Sequence, residues 1–409
     1  MSNSMTDPDT FARSVVQQYL FEHGMQTALQ AMEQKQGSKF MPASMPSGSI
    51  LLELVYKHLE EQAAAEETGT SRLAAEEESL LHGGNQDYPQ HLSHAVDNLH
   101  ESSIISICCW PGSGSRVLTG SGNGLIQLLD YKRDEFEWRH QGSVGGILSL
   151  ALQPEAQPGK MLLLAGAMDG SVTVLQADTG TVLWRHKAHA KYCVRVRWAA
   201  DSCRFISCSW DRTMCVFSQT SGTDSPDFKL LKSEMYVSQV QDVEFIQSAE
   251  PSQQLLAVAL KNTNYLRLFD MFQLKEHSKV NMNAMGDDHV SFSASHLAAS
   301  PCKKYLLVST EGSRIIMFRI QDWTQARNFY GLTVEEKFHQ PCAAWHCSGF
   351  YIFAAAAAGT VSVFHVGTTK VEAQLKAHMK NVRALDYNAT TDTLVTCSFD
   401  KTVKAFTAL

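Results

Sequence analysis

Apolar residues recur along this chain with two different periods, and the change between them divides it. Near the start they keep helical spacing: Phe11, Val15, Val16, Tyr19 and Leu20 share one face. Ahead of them, Thr6-Asp7-Pro8-Asp9 offers a cap, a proline for the first turn and acid facing the helix dipole. Gly24 predicts the stop, and Met25, Ala28, Leu29 and Met32 mark a second short helix. Past a Pro/Ser/Gly break, "MPASMPSG", the positions Leu51, Leu54, Val55, His58 and Leu59 predict a third amphipathic helix. Residues 66–85 turn acidic and read as a linker. From residue 87 the alternation shifts to every second position, in short strand-like runs such as "VRVRW" and "TVSVF".

These runs repeat. "CSWDRTMCVF" (208–217) and "CSFDKTVKAF" (397–406) share Cys-Ser-aromatic-Asp-basic-Thr and end on Phe. The same template finds Leu129, Leu175, Phe217, Phe269, Phe318, Phe364 and Phe406 at intervals of roughly 40–50 residues, the period of a β-propeller blade. The turn position in the seven units reads Asn123, Asp169, Asp211, Thr263, Gly312, Ala358 and Asp400. Asn, Asp and Gly suit such turns, whereas Thr263 and Ala358 mark degenerate ones. The alanines of "YIFAAAAAGTVSVF" favour helix by propensity. The repeat frame and the alternation of Val361 and Val363 argue for strands there instead. The fold class expected is mainly β, a seven-bladed propeller over 87–409, with a small helical region ahead of it. A hairpin ending near Phe406 leaves an unpaired edge, and the segment 88–99 is the natural strand to pair beside 401–406 and close the ring.

The unit resembles the WD-repeat family over about the last three quarters of the chain. The third unit has Ala188-His189, "CVRVRW", Ser207, Asp211 and Phe217; the seventh has Ala377-His378, "VRALDY", Thr396, Asp400 and Phe406. The resemblance implies a buried hydrogen-bonded set of His189, Ser207 and Asp211, and of His378, Thr396 and Asp400. Phe stands where the family closes the set with Trp, so the indole donor is missing. It further implies that the residue before each turn position lies on the narrower face, around the channel mouth: Gly122, Met168, Trp210, Asn262, Glu311, Ala357 and Phe399. Met168, Trp210 and Phe399 there, with Arg383 nearby, make the partner-binding set, since exposed apolar groups mark interaction sites. Whether Trp210 and Phe399 stand open or fold back over their own blades is left undecided by the sequence.

The first 40 residues resemble the LisH motif, a small dimerising helical unit, through Tyr19-Leu20, Gly24, Ala28 and the bulky Met32. That resemblance implies self-association through Phe11, Val15, Tyr19, Leu20 and Ala28. Docking of the two helices on the chain's own propeller is the other way to cover their apolar stripe. Residues 41–86 hold the third helix and linker. Helical dimeriser, linker and propeller together are similar in architecture to the lissencephaly-type dynein regulators.

Composition narrows the chemistry. Hydrophobic residues make up 44% and the formal net charge is −7, which argues against nucleic acid, because phosphate neutralisation needs clustered Lys and Arg. No secretory pattern opens the sequence and no apolar run approaches the roughly 20 residues of a membrane span. A cytoplasmic location follows as the expectation. The ten cysteines sit mostly in strand-like runs without zinc spacing, so neither metal nor cofactor is expected. "TGSGNG" is followed by a strand rather than the helix a phosphate loop needs. The His/Asp pairs have no nucleophile placed to use them, so an enzyme is not expected. The reading is a non-catalytic scaffold binding other proteins or peptide segments. "IQLLDYK", with Asp130 and Lys132, also resembles the blade-end motif of cullin-RING ligase substrate receptors, with Leu129 in the aromatic position.

Overall fold

Seven times the chain builds a sheet of four antiparallel strands, and the seven sheets follow one another around a ring. The computed structural model describes residues 8–22, 24–36, 39–41, 51, 80, 83–84, 87–97, 100–154, 159–220, 226–247, 254–284, 286–290, 292–311, 314–332 and 341–408. The chain divides into two compact units, 1–73 and 74–409.

In the second unit, the first strands of the blades are Ile104–Cys109, Ile147–Leu152, Cys193–Trp198, Val240–Gln247, Ala294–Ala299, Ala343–Trp345 and Val382–Asn388. Each contacts the first strand of the next blade, and the seventh contacts the first, so these strands line a central channel. The second strands are buried on both faces, as in Leu162–Ala167 and Thr393–Ser398. That is why they read as continuous apolar runs. Tyr351–Ala355 is such a strand, its alanines packed between neighbouring blades, so tertiary burial overrides helix propensity. Fourth strands alternate, as in Glu135–Gln141.

The repeat frame has a structural cause. Leu129, Leu175, Phe217, Phe269, Phe318, Phe364 and Phe406 are all buried in third strands. At each of them the pairing with the fourth strand slips by one residue. Such a bulge increases the local twist, and here the core anchor and the bend recur together.

The seventh blade takes its fourth strand from ahead of the first: His91–Val96 pairs with Val403–Thr407 in the register Leu92 to Phe406 and Val96 to Val403. The chain reaches that place along blade 6, where the Gly83 carbonyl lies 2.8 Å from His365 Nε2 and the Tyr88 and Tyr351 rings are 4.6 Å apart. The edge of the last sheet is thereby covered.

In the first unit, α1 (Pro8–Glu22) and α2 (Gln26–Gln36) form a hairpin. Gly24 sits at φ +69°, with Met25 N donating to the Leu20 carbonyl and Gly24 N to that of Phe21, the two bonds of a Schellman stop. Val15 and Leu29 are buried, Tyr19 and Leu20 half-buried and Ala28 exposed, while Phe11 lies in α1. Phe21 and Met25 are about half exposed. The third helix expected from Leu54, Val55, His58 and Leu59 lies outside the described residues.

Candidate functional site

The strands alternate in direction, so the turns from second to third strand and the links between blades emerge at one end of the channel. At that mouth the turns are pinned by one recurring bond. The backbone amides of Gly122, Met168, Trp210, Lys261, Glu311 and Phe399 donate to the carbonyls of Ser103, Gly146, Tyr192, Gln239, Ser293 and Asn381. Five of the six are the residues named from the repeat. In the fourth blade the turn holds one residue more. Lys261, not Asn262, therefore takes the mouth position, and Asn262 absorbs the left-handed conformation at φ +54°. Ala358 is likewise left-handed, at φ +56°, ahead of Gly359.

The channel encloses about 1550 Å³. Met168, Trp210, Phe399 and Arg383 all line it, together with Tyr192 and Lys261. Trp210 is half-buried, its ring 5.3 Å from that of Tyr192, whereas Phe399 is 39% exposed. The choice between open and folded-back rings thus has a divided answer: Trp210 leans on Tyr192, and Phe399 faces solvent. Around these sit further exposed apolar groups on the links between blades, Val144, Val237 and Met379. Phe272 lies at the opposite end of the ring, in a turn between third and fourth strands.

Beneath the mouth, the expected hydrogen-bonded sets are assembled. In blade 3, His189 Nε2 lies 2.8 Å from Ser207 Oγ and Nδ1 lies 2.8 Å from Thr213 Oγ1. Asp211 accepts from the Ala190 amide at 2.8 Å and from Thr213. Blade 7 repeats this with His378, Thr396, Thr402 and Asp400, whose carboxylate accepts the Met379 amide. The indole donor is absent from both sets, and each histidine ring nitrogen has a hydroxyl partner, Thr213 and Thr402 serving Nδ1. The Asp-x-Thr spacing shared by both units was the available signal. A third histidine, His100, occupies the same place in blade 1, 2.9 Å from Thr119 Oγ1.

Burial is the largest influence on the titration of these sets. Burial lowers the pKa of His189 and His378, with Asp211 and Asp400 pulling the other way. His100 is pushed down to about 4, chiefly by burial. For Asp211, burial acts upward, but the Thr213 hydroxyl and the Ala190 and Thr213 amides outweigh it and hold the carboxyl below its usual range. The inner strands carry a second polar layer. Fully buried Asp242 accepts Nε and Nη2 of Arg195, and the Val243 and Leu297 amides at 2.8 Å, tying blades 3, 4 and 5 together. Asp386 accepts the Cys109 amide at 2.7 Å and so joins blade 7 to blade 1. Burial pushes the Cys108 thiol up to about 12, far from a reactive thiolate. Among the described residues no group of three or more His, Cys, Asp or Glu could hold a metal ion. Asp130 is occupied in its own turn by the Lys132 and Arg133 amides.

The WD domain, G-beta repeat model matches residues 180–218 and 369–406. These two segments match WD40 repeats, each running from the fourth strand of one blade through the first three strands of the next. Blades 3 and 7, which these segments enter, have His, Ser/Thr and Asp all in place. No curated protein matches the chain significantly. Among the described residues no helix is long and apolar enough to cross a membrane.

Proposed function

We propose that this protein is a non-catalytic interaction scaffold whose WD40 propeller seats protein or peptide segments at the channel mouth. The observation that carries the reading is the apolar group around one opening, Met168, Trp210, Tyr192 and Phe399, with Arg383 in the channel wall. Apolar rings at the rim of a channel can hold an extended segment, and aromatic anchors commonly dominate such binding. The test is affinity capture with the full chain. Replacing Trp210 and Phe399 together by Ala is expected to lose partners that the wild type and Phe272→Ala retain, with melting temperature little changed. Identical captured sets from all three would refute the reading.

Self-association through the N-terminal hairpin belongs to the same proposal, as a LisH-like dimeriser. Phe21 and Met25 leave apolar surface open beside Val15, Tyr19 and Leu20, and a second copy is an economical cover. Light scattering is expected to give twice the monomer mass for the full chain and the monomer mass for a chain starting at Ala74. Equal monomeric masses would exclude the dimer. A cytoplasmic setting fits ten cysteines of which none forms a disulfide. The motor-regulator reading rests on architecture alone. The ligase-receptor reading has less support, because the Asp130 carboxylate caps its own turn.

A further inference from the structure

The two WD40 blades present the same chemistry at the mouth, from opposite sides. In a seven-membered ring blades 3 and 7 are three steps apart one way and four the other. Each offers an aromatic ring to the channel, Trp210 and Phe399. Each places a cation two residues further on, Arg212 and Lys401, and another on the link before its first strand, Lys191 and Lys380. All four cationic residues are exposed, and none forms an ion pair among the described residues. Lys261 adds a fifth cation at the channel wall.

Most acids beside them are already committed, Glu101 in the pocket next to Lys401 being the exposed one. Asp211 and Asp400 turn inward to amides and threonines of their own blades, and Asp169 is bound by Ser171 and Arg185. The mouth around blades 3 and 7 therefore presents aromatic surface flanked by exposed cations that form no ion pair among the described residues, although the whole chain carries −7. The arrangement is local, not a general basicity of the protein.

Resting on the reading of the mouth as a protein-binding site, we infer that its occupant is an acidic segment with an apolar anchor. The segment lies across the channel mouth, its anchor against Trp210 and Phe399 and its carboxylates near Lys191 and Arg212 at one end and Lys380 and Lys401 at the other. Complementary charge of this kind fixes register and speeds encounter. Nucleic acid fits less well, because Glu101, Asp288 and Glu311 stand exposed on other links and turns of the same face. A continuous phosphate backbone meets them, whereas a peptide can place its charges singly.

The experiment selects a randomised peptide display library on the full-length protein. The expected pool is rich in Asp and Glu around an aromatic or aliphatic residue. Its affinity falls about ten-fold on Lys191→Glu with Arg212→Glu, and comparably on Lys380→Glu with Lys401→Glu, with high salt weakening it further. Circular dichroism melting of the charge variants is expected to match wild type, since the four side chains are exposed. No pool, a pool without acidic bias, or an acidic pool indifferent to both variant pairs overturns the inference. So does a single-stranded poly(U) probe that binds more tightly than the pool. A pool lost on Trp210→Ala with Phe399→Ala but untouched by charge reversal keeps the mouth as the site and removes the acidic class. Failure of the site itself shows instead as binding indifferent to the aromatic pair.

Discussion

Removing residues 88–99 is expected to lower the stability of the propeller far more than removing residues 1–67. The deleted stretch contains the strand His91–Val96, which supplies the outer edge of the last blade. It also buries Tyr88 and Val96, each at 4% exposure, at a cost of roughly 1.5–3 kcal/mol for each side chain lost from the core. Five paired positions beside Val403–Thr407 lose their partners at the same time. The exposed edge then invites association between molecules. Chemical denaturation of the two deletions decides: a larger midpoint shift for 1–67 would mean that the ring is not held shut by this strand. The joint has further support, because Asp386 accepts the Cys109 amide and Asn388 Nδ2 donates to the Ser113 carbonyl across the same seam.

The second large effect concerns Asp242. Its replacement by Ala is expected to destabilise by about 3–5 kcal/mol, the range for breaking a buried ion pair by removing one partner. Arg195 and the Leu297 amide would both lose their acceptor. Burial acts to raise the Asp242 pKa, but Arg195 and then His296 outweigh it and hold it below the usual carboxylate range. Its contribution is therefore complete above the unfolded carboxylate pKa and lost as pH falls through the folded one. His296 acts in the same direction. Its pKa is pushed to about 3, mainly by burial, so below about 6.5 the unfolded chain takes up a proton that the folded chain refuses. Acid destabilisation should begin near neutrality and steepen toward pH 3. If Asp242→Ala does not fold, the double replacement Arg195→Met with Asp242→Leu separates the causes: partial recovery is expected, because the orphaned charge is gone while the Leu297 amide still lacks its acceptor. A shift within about 1 kcal/mol for Asp242→Ala would mean that the pair contributes little.

Much of this architecture was legible because the third-strand anchor is a large apolar residue in every blade. Leu129 to Phe406 mark the bulges, so a period read from side chains coincides with a backbone feature. The turn chemistry was less legible. An added residue in the fourth blade moves Lys261 to the mouth, and nothing in "LKNTNYLRLF" distinguishes that turn from one with Asn262 there. The hydroxyls of Thr213 and Thr402 were visible as a repeated spacing, but their partner nitrogens depend on ring orientation. Arg195 and Asp242 sit on strands of different blades, 47 residues apart, and only the ring brings them together. The paired cations of blades 3 and 7 were in view one by one. Their opposition across a channel required the blade count.

The claim that partners lie at the channel mouth is tested most directly by a photo-crosslinking residue placed at Phe399 and, separately, at Phe272, in cells producing the full-length protein. A covalent adduct of one defined protein from position 399 and none from position 272 is the predicted result. The same adduct from position 272 alone would contradict the account.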